Sequence, residues 1–160
     1  MYDRDRRDKG YGGERRGGYR EDRKVSEIKE VIQKINSLQS LNQLDVKEIA
    51  KEGGYAEQVA KSLKDLKTTQ LRKLFGEIKE NERKLNEKDW KDIEADFYMI
   101  RPNLAYAKAR RLVPDDFFKL MSVCMSKVDS GSDEQKKENY RRFVQFLEAI
   151  VAYHKYHGGD

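Results

Sequence analysis

The chain has 160 residues, with 34 Lys or Arg against 29 Asp or Glu and a formal net charge of +5. No apolar run reaches the roughly 18 residues of a membrane-spanning helix, so no membrane partner is expected, and no apolar leader with a small-residue cleavage site is recognised. The single cysteine, Cys124, excludes an internal disulfide and fits a reducing cytosol, so a cytoplasmic location is expected. Residues 1–23 hold glycines, tyrosines and mixed charge with no aliphatic side chain beyond Met1, which predicts a disordered tail. Tyr11, Arg15, Arg16, Tyr19 and Arg20 alternate there with glycine pairs, as in tails that contact single-stranded RNA; a solubilising leader is the other reading.

From 24 to 160 a single domain is expected, with helical periodicity along most of it. Val25, Ile28, Ile32, Ile35 and Leu38 predict a first helix of about 13 residues. Asp45 followed by Glu48 reads as a capping box, opening a short helix that stops at Gly53–Gly54. A third helix runs through Val59, Leu63 and Leu66. Thr68 or Thr69 is expected to cap the next, which lines Leu71, Leu74, Phe75, Ile78 and Leu85 along one face. After Asn86 a helix carrying Trp90, Ile93, Phe97 and Ile100 is expected to stop at Arg101, because Pro102 disfavours helical geometry before it. A separate alanine-rich segment then spans 103–111, close-packed against its neighbours. Pro114 opens a helix with Phe117, Leu120, Met121, Cys124 and Val128, and Ser132 with Gln135 forms a capping box before a last helix over about 133–157. That helix, with Phe143, Phe146, Leu147, Ile150 and Val151, is expected at the centre. The fold class is all-α, a compact helical bundle of about five or more helices behind a disordered tail.

Groups able to do catalysis are few. His154 and His157, three apart on a helix, could share a metal, but packed or hydrogen-bonded histidines are the commoner outcome. Asp115 and Asp116 follow Pro114 at a helix start, where carboxylates cap. Cys124 lies on an apolar stripe with no histidine near it in sequence and reads as a core residue. No catalytic residue, metal or cofactor is expected.

Basic charge is better organised. Between Asp96 and Asp115 there is no acid, while Arg101, Lys108, Arg110 and Arg111 fall in that window. Lys67, Arg72 and Lys73 belong to a second basic cluster, and Arg72, Lys79 and Arg83 project onto one ridge of their helix. Each is a plausible phosphate contact; a solvated face paired with Glu77, Glu80 and Glu82 is the other reading. Tyr98 and Tyr106 stand beside the densest charge, as stacking rings or as core residues.

Three stretches, LRKLFGEI from Leu71, RPNLAYAKARR from Arg101 and FVQFLEAIVAYHKY from Phe143, resemble the small subunit of the type III-A CRISPR effector, the Csm complex. The resemblance runs from about Ser62 to the C-terminus. It departs from the family pattern at Ala109, where glycine is commoner, and at Asn103, where a second basic residue is. It implies a non-catalytic helical bundle that self-associates as a filament or dimer in an antiviral ribonucleoprotein. There it would stack in several copies beside the backbone and large subunits and hold guide RNA and target RNA. RNA-facing positions would be Arg72, Lys73, Arg101, Arg110 and Arg111, joined on charge pattern by Lys67, Lys79 and Lys108. The alternative is a protein–protein docking module whose basic ridges meet partner subunits.

Overall fold

In the computed structural model, which describes residues 18–159 and side chains from Glu27 onward, helix follows helix along the chain. They are α1 (Gly18–Asn36), α2 (Val46–Ala50), α3 (Tyr55–Ser62), α4 (Thr68–Leu85), α5 (Trp90–Ala109), α6 (Asp115–Val128) and α7 (Asp133–Tyr156), with a 3₁₀ turn at Leu41–Gln43. No strand occurs among the described residues, so the all-α class is as the periodicity predicts. The expected tail lies outside the described residues through Gly17, as do the side chains of Tyr19, Arg20 and Val25. Helical backbone begins at Gly18, ahead of the expected start, and ends at Asn36, leaving Leu38 half-buried just beyond it.

The central position of α7 is as expected: it packs on α2, α3, α4, α5, α6 and the 3₁₀ turn. Phe143, Val144, Phe146, Leu147 and Ile150 are all buried along it. Tyr140 sits in an aromatic cluster with Trp90, Phe97 and Phe143, at centroid distances of 6.2, 6.0 and 6.0 Å. Each such pair contributes about 0.5–1.5 kcal/mol beyond the area it buries. The Tyr140 hydroxyl donates to the Ile78 carbonyl at 2.7 Å and ties α7 to α4, while burial pushes its pKa up.

The largest correction concerns Pro102, which lies inside a continuous α5 rather than between two segments. Proline there removes the bond to the Tyr98 carbonyl and crowds it, at a cost of about 3 kcal/mol. Phe97 and Ile100 before it and Leu104 after it are all buried on one side of the same helix. Each contributes about 1.5–3 kcal/mol, so burial outweighs the proline. Pro102 itself is exposed, on the face where water satisfies an orphaned carbonyl. Ala105 and Ala109 are exposed too, and of the three alanines in the segment only Ala107 packs against the core as expected.

Several caps also differ. The Asp45 carboxylate accepts from the Lys47 N–H at 2.9 Å, but Glu48 pairs with Lys51 at 2.7 Å instead of closing a box. Lys67, not a threonine, precedes α4; Thr68 is buried, with its hydroxyl 3.4 Å from His154 Nδ1. Helix α3 ends at Ser62, short of Leu66. The Ser132–Gln135 box is formed as expected, and a second, Asp89–Asp92, opens α5.

Candidate nucleic-acid interface

Helices α4 and α5 are joined by residues 86–89 and run antiparallel. Lys84 meets Asp96 at 3.5 Å near the connection, and the start of α4 lies beside the end of α5. This hairpin brings Lys73 and Arg110, far apart in sequence, to one open cleft of about 460 Å³. Leu74, Leu104, Ala107, Leu112 and Val113 contribute apolar walls, and Gln70, Glu77, Asn103 and Tyr106 complete the lining. Tyr106 is 64% exposed, which decides between the two readings of its ring: it is a surface ring. The Arg110 guanidinium lies over it, 5.6 Å from the centroid.

The remaining basic residues fall on other faces. Arg101 and Lys108, seven apart on α5, approach the Phe118 ring of α6 at 5.8 and 5.0 Å. Lys108 also pairs with Asp115 at 3.0 Å, and with Arg111 it lines a second recess of about 350 Å³ that includes Asp65 and Leu66. Lys67 follows that segment directly and is exposed. Arg72 and Lys79, also seven apart, share the opposite flank of α4. Lys79 lies 3.9 Å from Glu82 and 4.0 Å from Glu148 of α7, and Arg83 forms a two-point pair with Glu80 at 2.7 and 3.1 Å. Of the expected ridge, Lys79 and Arg83 thus each have a carboxylate within 4.0 Å, and Arg72 does not. Among the described residues no ion pair engages Lys67, Arg72, Lys73, Arg101, Arg110 or Arg111.

Arg111 has an unusual backbone. Its φ is +60°, the only positive value at a non-glycine among the described residues. Its N–H donates to the Lys108 carbonyl and the Leu112 N–H to the Ala107 carbonyl, both at 2.9 Å, so the end of α5 is a Schellman motif. Glycine is the usual residue at that position, because a side chain there costs about 1 kcal/mol.

The other candidates are occupied structurally. His154 is 1% exposed, with Nε2 3.0 Å from the Leu63 carbonyl. His157 Nε2 lies 2.8 Å from Glu57 Oε2. Gly53 donates its N–H to Glu57 Oε1 at 2.7 Å, and this bond, followed by that of His157, holds the Glu57 carboxyl below its usual range. Burial pushes the Cys124 thiol far above its ordinary value. Asp115 and Asp116 stand in the first turn of α6. Tyr98 donates to Asp129 Oδ2 at 2.8 Å, a bond that leads its pKa up to about 12 and keeps it neutral. Among the described residues no group of three or more His, Cys, Asp or Glu is placed to hold a metal, and no helix is long and apolar enough to cross a membrane. Leu112 and Val113 were not marked by charge pattern; only the antiparallel return of α5 makes them neighbours of Lys73.

No curated protein and no solved structure matches the chain. The family model for Csm2 of type III-A matches residues 43–160, the whole of the hairpin and of α6 and α7 included. That family is generally a structural, non-catalytic component of a complex with other subunits. With about three quarters of its length matched, and with the all-α architecture around α7, the chain belongs to the Csm2 family, the small subunits of type III-A CRISPR Csm complexes.

Proposed function

We propose that this chain is an RNA-contacting, non-catalytic subunit that holds guide RNA and the target RNA paired to it through sequence-independent backbone contacts. It stacks in several copies as an inner filament beside the backbone and large subunits, in a cytoplasmic antiviral ribonucleoprotein. The observation that supports this most is the cleft between α4 and α5, where Lys73 and Arg110 meet without an acid paired to either, beside the exposed Tyr106 ring. Lys108 and Arg111 extend the same end of the hairpin and Lys67 adjoins it; Arg101 stands farther back along α5 over the Phe118 ring, and Lys79, on the flank of α4 it shares with Arg72, approaches Glu148 of α7. Lysine and arginine neutralise phosphates and release counterions, while guide–target pairing supplies the specificity. One copy offers few contacts, so repetition along a filament supplies the avidity.

The test is anisotropy of a labelled single-stranded RNA titrated with the full chain across salt. Binding that weakens steeply with salt and ignores sequence supports the reading; no binding at low salt overturns it. One observation favours a second reading, a docking module for partner proteins: α5 exposes Tyr98, Met99 and Tyr106, at 45, 55 and 64%. Substituting Met99 with Glu would then release partner subunits and leave RNA titrations unchanged.

A further inference from the structure

A phosphate contact needs only exposed cations, yet the α4–α5 cleft has more than that. Its walls are apolar over Leu74, Leu104, Ala107, Leu112 and Val113. Its rim carries the amides of Gln70 and Asn103, each able both to donate and to accept. An aromatic ring, Tyr106, stands exposed at the mouth under the Arg110 guanidinium. Apolar walls with a few convergent polar groups are the lining of a small-molecule site rather than of a backbone track. A flat, partly apolar heterocycle with donors and acceptors on its edge matches that lining.

We propose that the cleft takes up a single unstacked nucleobase, with its phosphate on Lys73 and Arg110. The proposal rests on the RNA-contact reading and deepens it: each copy would engage one splayed base as well as the strand's backbone. The base would lie against Leu104 and Ala107, with Tyr106 covering it at the mouth. Gln70 and Asn103 would meet its edge in either sense, so any of the four bases is accepted. Glu77 adds one acceptor and offsets part of the cationic field. The fixed feature is a heterocycle; identity of the base is not selected.

The experiment compares adenosine 5′-monophosphate, uridine 5′-monophosphate and ribose 5-phosphate, titrated separately into the full chain and followed by amide chemical shifts. Ribose 5-phosphate carries the charge without the base, so it isolates the phosphate term. Both nucleotides are expected to bind about tenfold more tightly than ribose 5-phosphate, the size of one base–aromatic stack, with shifts centred on Leu104, Ala107 and Leu112. Ala107→Trp, which fills the cleft, and Asn103→Ala, on its exposed rim, should each reduce that ratio. Equal affinities of nucleotide and sugar phosphate overturn the base pocket, as does a ratio that survives Ala107→Trp in a folded variant. Failure of the chain to bind RNA at all, read in the anisotropy titration, removes the RNA-contact reading instead, so the two failures are distinct.

Discussion

Arg111 donates its backbone N–H to the Lys108 carbonyl at 2.9 Å while holding φ at +60°, so an arginine occupies the position where a Schellman motif favours glycine. Local stability is given up there for a charged side chain at the end of α5. Arg111→Gly should therefore raise stability by about 0.5–1 kcal/mol, a shift of a few degrees in melting temperature. The same substitution should weaken RNA binding and lower its salt slope. Thermal melts and salt titrations of one variant check both halves; a stabilised variant with unchanged RNA affinity would show that Arg111 serves no ligand.

The cations should separate by location. Lys73→Ala and Arg110→Ala remove charges that form no ion pair among the described residues, at one cleft. Each should reduce the slope of log affinity against log salt by about 0.7, the value for one phosphate on a single strand. Lys79, already between Glu82 and Glu148, should give a smaller change when replaced by alanine. Equal effects at all three positions would count against the cleft.

The spacing of Leu71, Leu74, Ile78 and Leu85 was enough to locate α4, and the side chains of α7 were enough to make it central, because burial on one face imposes a 3.6-residue period. Pro102 was misread for the opposite reason. A local preference of about 3 kcal/mol was visible, whereas the tertiary burial of Leu104 beyond it was not. The candidate site was legible as charge on the acid-free window but not as a cleft. Lys73 and Arg110 meet only because α5 folds back along α4, and nothing local in the sequence distinguishes Arg110 from the ion-paired Lys108.

Glu57 predicts a pH dependence. Its carboxylate accepts from Gly53 and from His157, so its pKa in the folded chain lies below the ordinary 4.5. A depressed carboxylate pKa contributes stability that is fully present above the unfolded value and lost as pH falls through the folded one. The join between the Gly53 turn and the end of α7 should hold at neutral pH and loosen below 4.5. Glu57→Gln should lower the melting temperature at about pH 7, and its deficit relative to the parent chain should shrink toward about pH 3. A deficit that stays constant across that range would exclude ionisation of Glu57 as the cause.

Asn139 is fully buried on α7 and has every one of its bonds directed at another segment. Its carbonyl oxygen accepts from the Asn42 N–H at 2.9 Å, and its amide donates to the Val128 and Ser130 carbonyls at 3.2 Å each. One buried side chain thus joins the 3₁₀ turn and the end of α6 to the central helix. Nothing in the hydrophobic period marks it, since a polar residue beside Tyr140 reads as solvent-facing. Asn139→Ala would strand the Asn42 N–H and the Ser130 carbonyl, while the Val128 carbonyl keeps the Ser130 N–H at 2.9 Å, a loss of about 2–4 kcal/mol when each orphan costs 1–3 and neighbours relax in part. Asn139→Asp keeps the acceptor but points an oxygen at two carbonyls, so it should be at least as damaging near neutral pH and recover on acidification. Denaturant unfolding of both variants, read at α7 and at the 3₁₀ turn, decides this: a loss under about 1 kcal/mol for Asn139→Ala would mean that the three segments are held by packing alone.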